Sequence, residues 1–96
     1  MPSLATTAAL SGRSATAAFS VHARAEPGVM PRLLELFAKR GLVPSLWRSA
    51  LSHDDRALVI EIEMRGLAGE MTDYIAACMR QIVGVDAVLT ATRTDG

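Results

Sequence analysis

The chain has 96 residues, half of them hydrophobic and only 4% aromatic, which bounds it to one domain with an aliphatic core. Ten Lys and Arg balance ten Asp and Glu, so charge gives no reason to expect nucleic acid or an anionic membrane as a partner. A single cysteine, Cys78, excludes an internal disulfide and makes a reducing cytoplasm the expected setting, and no apolar run approaches the roughly 18 residues a membrane span needs.

Residues 1–17 read as a disordered tail before a domain over 18–93. Twelve of the first eighteen residues are Ala, Ser or Thr, Arg13 is the only charge among them, and no apolar periodicity holds. A signal peptide's continuous apolar segment is missing from this stretch. Deleting residues 1–16 is therefore expected to leave the melting temperature almost unchanged.

The first strand covers Phe19–Arg24, where Phe19, Val21 and Ala23 alternate with Ser20, His22 and Arg24. Next comes the stretch around which the chain is organised, Ala25 to Gly41. Pro27-Gly28 is a turn dipeptide, with glycine free to take left-handed backbone values. A helix follows over roughly Val29–Arg40, tolerating Pro31 in its first turn and showing an apolar face of Met30, Leu33, Leu34 and Phe37. Lys39 and Arg40 suit its last turn, and Gly41 is a C′ residue. The backbone N–H groups just after Gly28 point at whatever occupies the turn, which is either a small anion site or an empty turn.

Val43 to Leu51 leans towards strand, and Pro44 within it argues for a sheet edge. Ser52 to Arg56 is a polar hairpin turn leading to the clearest strand, Leu58–Arg65, in which Leu58, Ile60, Ile62 and Met64 alternate with a solvated face. Gly66 breaks that pattern. A second helix over about Ala68–Ile82 carries the stripe Met71, Ile75, Cys78, Met79 and Ile82, and Val85–Thr92 is the last strand. The expected core is Phe19, Val21, Leu33, Leu34, Phe37, Leu58, Ile60, Ile62, Ile75, Cys78 and Ile82.

The order βαββαβ predicts an α+β, ferredoxin-like fold. Two right-handed βαβ units place both helices on one face of a four-stranded antiparallel sheet, in strand order 4-1-3-2. The strand near Pro44 then lies on an edge, and the face without helices is open to partners.

The residues support no catalysis, metal or cofactor. His22 and His53 have no second ligand at metal spacing, and Asp54-Asp55 is turn chemistry. Glu61 and Glu63 share a solvated strand face with Arg65. Cys78 reads as a buried small hydrophobe, and Ser45 and Ser49 have no nearby base. The chain lacks the Cys-x-x-Cys of a metallochaperone, the strand aromatics of an RNA reader and, containing no asparagine, the amide an acylphosphatase needs.

Glu26-Pro27-Gly28-Val29-Met30, followed by Leu36-Phe37-Ala38-Lys39-Arg40-Gly41, resembles the start of the ACT domain in small subunits of acetolactate synthase. His22-Ala23-Arg24 with Arg32-Leu33-Leu34 is similar to the short isozyme subunits, and Val85 to Val88 to their closing strand. The resemblance covers about Phe19 to Thr92. It implies a non-catalytic regulatory subunit that binds the thiamine-diphosphate-dependent catalytic subunit in branched-chain amino-acid biosynthesis. It also implies a small amino-acid effector at a dimer interface, held by Glu26, Pro27, Gly28, Val29 and Met30. Where effector-responsive members carry asparagine this chain has Ala25 and approximately Val43, so effector binding is expected to be weak. Side-by-side pairing of two such domains makes a homodimer through Pro44, Leu46, Trp47 and Ser49. Trp47 is then either an interface anchor or packed under the first helix. Two other readings stay open: a free-standing amino-acid sensor without a synthase, and a structural dimer with neither effector nor enzyme.

Overall fold

A computed structural model describes residues 15–94 of the chain. Six elements follow in order: β1 (Ala15–Arg24), α1 (Val29–Lys39), β2 (Leu46–Leu51), β3 (Ala57–Arg65), α2 (Gly69–Arg80) and β4 (Val85–Thr94). The strands form one antiparallel sheet ordered β2-β3-β1-β4, which is the expected 4-1-3-2 arrangement of the ferredoxin-like βαββαβ fold.

Period-two alternation decides the sheet's buried face. Ala17, Phe19, Val21 and Ala23 of β1 are buried beside Leu58, Ile60, Ile62 and Met64 of β3. The Phe19 ring meets Phe37 of α1 edge-to-face, with centroids 6.2 Å apart. The opposite face carries Ser20, His22, Glu61 and Glu63. β1 begins at Ala15, four residues before the alternation suggested, with Thr16 and Ala17 buried. A deletion through residue 16 therefore cuts into the strand; the rest of the expected tail, 1–14, lies outside the described residues.

Both helices are rotated from their expected faces. α1 buries Val29, Leu33, Leu36 and Phe37, while Leu34 is 48% exposed and Met30 only half-buried. α2 buries Thr72, Ile75, Ala76 and Met79, leaving Met71 exposed and Cys78 and Ile82 half-buried against the core. Leu34, Cys78 and Ile82 thus leave the expected core, and Ala17, Ala23, Val29, Leu36, Met64, Leu67, Ala76, Met79 and Val88 join it. The cause is common to both helices. Apolar residues spread over more of the circumference than the sheet can cover, so spacing alone does not select the buried arc.

The ends obey local rules. Gly41, at φ +68°, closes α1: its N–H bonds to the Ala38 carbonyl and the Leu42 N–H to that of Phe37, a Schellman pair. In the β2–β3 hairpin the Ser52 hydroxyl donates to the Asp54 carboxylate at 2.6 Å. That bond, and then the Arg56 N–H, hold the Asp54 carboxyl below its ordinary value of 3.8. β2 itself starts only at Leu46. Pro44 precedes it, and pairing opens where the Ser45 N–H and hydroxyl both reach the Glu63 carbonyl, at 2.8 and 3.1 Å. The edge position is real, but Pro44 is not inside the strand that occupies it.

Gly84 binds the two halves of the fold together. It sits at φ +100°, and its carbonyl accepts the Arg24 N–H at 2.8 Å. A Cβ there would lie 2.9 Å from both the buried Val29 side chain and the Glu26 carboxylate. Gly84→Ala is expected to cost about 1–3 kcal/mol from backbone strain alone, read as a lower urea midpoint. An unchanged midpoint would show that the turn relaxes freely.

Candidate functional site

The β1–α1 turn and the end of β2 meet only through the sheet register. Ala23 of β1 pairs with Leu58 of β3, and Leu58 pairs with Leu51 of β2. Residues far apart in sequence therefore converge at one corner. They enclose a cleft of about 480 Å³, with Ala25, Glu26, Pro27 and Met30 on one wall and Ser49, Ala50, Leu51 and Leu58 on the other. The size is that of a small-molecule site, and the walls are mostly apolar.

Three of the five expected effector residues line this cleft: Glu26, Pro27 and Met30. Gly28 stands at the N-cap of α1 with φ −81°, so the turn needs no left-handed residue there. The buried Val29 side chain faces the core, and its N–H is spent on the Glu26 carbonyl at 3.2 Å. Pro31 supplies no N–H. The Gly28 and Met30 N–H groups are both left without a partner among the described residues, and of the two residues Met30 lines the cleft. A Cβ on Gly28 would meet only the end of the flexible Arg32 side chain, at 2.9 Å. Gly28→Ala is thus expected to shift stability by no more than about 1 kcal/mol, checked by thermal melting. A loss of several times that would mean the turn requires glycine after all.

Of the expected interface residues, Ser49 lines the cleft, and Leu46 and Trp47 lie on β2. Trp47 pairs across the ladder with Ile62 and is half-buried against the core. Pro44 lies in the loop before β2. Ala25, which stands where effector-responsive members carry asparagine, also lines the cleft, whereas Ala50, Leu51 and Leu58 reach it only through the strand register.

A sheet with this order, these two helices and this corner cleft can be set beside known families. The family model described as an ACT-like domain matches residues 10–95. The chain belongs to the ACT-like domain family. The ACT domain of the GTP pyrophosphokinase of Chlorobium tepidum superposes on it with a TM-score of 0.62 at 12% identity, covering 79% of this chain and 96% of that one. The C-terminal domain of the MgtC protein from Mycobacterium tuberculosis gives 0.62 at 19% identity, over 85% of this chain and 90% of that one. At such identities the likeness is one of fold. No curated protein matches the chain.

On the open face of this ACT-like domain the polar groups pair with one another. Ser20 Oγ lies 3.3 Å from His22 Nε2 and donates to Glu61 at 3.4 Å. The carboxylate therefore bonds the hydroxyl rather than the imidazole and does not orient a base. Glu63 is gripped by the fork of Arg93, with both bonds at 3.1 Å, rather than by Arg65. Among the described residues, no group of three or more His, Cys, Asp or Glu is placed to hold a metal ion, and no helix is long and apolar enough to cross a membrane.

Proposed function

We propose that this ACT-like domain is a non-catalytic regulatory subunit that binds a small amino acid in the corner cleft, pairs with a second copy along β2, and serves acetolactate synthase as an accessory subunit. One observation carries the reading: the cleft opens beside the unpaired edge of β2, so a second copy added there would wall it off. The cleft's chemistry fits the ligand class. Ala25, Pro27, Met30, Leu51 and Leu58 offer an apolar bed for an aliphatic side chain. The Met30 N–H and the positive end of α1 suit a carboxylate. The assignment to a synthase rests on the likeness of residues 26–30 and 36–41 to its small subunits, and a cytoplasmic location goes with that role.

The test is addition of the purified chain to the thiamine-diphosphate-dependent catalytic subunit encoded in the same genome. The expected result is co-migration on size exclusion and a raised rate of acetolactate formation. If the two neither co-migrate nor alter the rate, the synthase role is wrong and the free-standing sensor takes its place.

A further inference from the structure

On the side of α1 away from the corner cleft, a second groove of about 340 Å³ runs between the helices. Its floor is apolar: Leu36 from α1, with Cys78 and Ile82 from α2 and the turn after it. Its rim belongs to α1, where Arg32, Lys39 and Arg40 outnumber the single acid, Glu35. That acid is already taken, since Lys39 pairs with Glu35 at 3.6 Å.

The two guanidinium groups are left without a counter-anion. Arg40 donates to the Leu36 carbonyl at 3.0 Å and the Tyr74 hydroxyl at 3.1 Å, and sits 5.2 Å from the Tyr74 ring centre; none of these is anionic. The Arg32 side chain has no hydrogen-bond or ion-pair partner among the described residues. It also lies near the positive end of α1, where a cation is disfavoured. Eight residues separate the two arginines, which is about 12 Å along the helix.

We propose that this groove docks an acidic amphipathic helix from a partner protein. A helix laid into it would place apolar residues on Leu36, Cys78 and Ile82. Two carboxylates at positions i and i+7, about 10 Å apart, would meet Arg32 and Arg40. Guanidinium forks favour planar carboxylates over point acceptors. The charge pattern sets other occupants aside. A second copy offers Glu70 and Asp73 on its exposed α2, but these are one turn apart rather than two. A chain with balanced charge and one acid on the rim lacks the basic surface a nucleic-acid backbone needs. The corner cleft lies on the other flank of α1, so this site does not depend on what fills the cleft.

The probe is a synthetic amphipathic helical peptide with glutamates at i and i+7 flanking leucines, with a lysine-for-glutamate counterpart as control. Both are titrated into the full chain by NMR. Binding of the glutamate peptide alone is expected, with shifts confined to residues 32–40 and 78–82. Arg32→Glu, which breaks no hydrogen bond or ion pair among the described residues, should weaken the glutamate peptide at least tenfold and create binding of the lysine peptide; Arg32→Lys should retain most of the affinity. The proposal is overturned by no binding at millimolar peptide, or by affinity indifferent to Arg32→Glu. Shifts on the open sheet face, or a short oligonucleotide occupying the groove more tightly than the peptide, would overturn it equally.

Discussion

Ser49→Pro is expected to split the proposed homodimer into folded monomers. The hairpin sets the phase of the β2–β3 ladder. The Ser52 N–H donates to the Ala57 carbonyl at 2.9 Å, so Ala50, Arg48 and Leu46 turn their backbone groups towards β3. Trp47, Ser49 and Leu51 then present theirs at the free edge. Proline at 49 removes a donor from that edge and none from the domain's own ladder, which is why the fold should survive. The same edge is flanked by apolar surface. Leu51 is 56% exposed, and Leu34 lies one helical turn beyond Met30, which lines the cleft beside β2. Light scattering at micromolar concentration should report twice the monomer mass for the native chain and the monomer mass for the variant. A native monomer would remove the second copy from the account.

Phe37→Ala is expected to cost about 3–5 kcal/mol, close to the whole stability of a domain this small. Its ring is fully buried against Phe19. Both rings sit at the centre of the layer between sheet and helices, where little can collapse into the space. Leu34→Ala is the matched control on the same helix. At 48% exposure it should change the monomer's unfolding by less than about 1 kcal/mol while weakening self-association. Urea unfolding of the two variants separates the helix's core face from its flank. Equal losses would mean that the helix is rotated from the orientation described.

How far the sequence was legible follows from which period each element obeys. β3 was readable residue by residue, because one face is buried and the other wet, and a two-residue repeat leaves no other phase. Topology followed, since six elements in the order βαββαβ have few right-handed solutions. The helices were readable in extent but not in rotation. On α1, apolar side chains at 29, 30, 33, 34, 36 and 37 occupy two flanks at once, one facing the core and one facing the β2 edge. Position 28 is a turn glycine without left-handed backbone: its φ is right-handed, and among the described residues positive φ occurs at Gly41, Gly66, Gly84 and Asp55. The cleft was only half legible. Glu26, Pro27 and Met30 are local to one turn, whereas Leu51 and Leu58 reach it through two strand pairings that no local spacing encodes.

In the proposed function, the small-molecule site is completed by a second copy at the β2 edge. Calorimetry with valine, leucine and isoleucine is run on the native chain, on Ser49→Pro, and on Ser49→Ala, which removes the same hydroxyl from the cleft wall but keeps the edge N–H. One ligand per chain at micromolar or weaker affinity is expected for the native chain and for Ser49→Ala, with that binding lost in the folded Ser49→Pro monomer. Binding of equal strength by the native chain and Ser49→Pro, or by neither, would rule out a site shared between two copies.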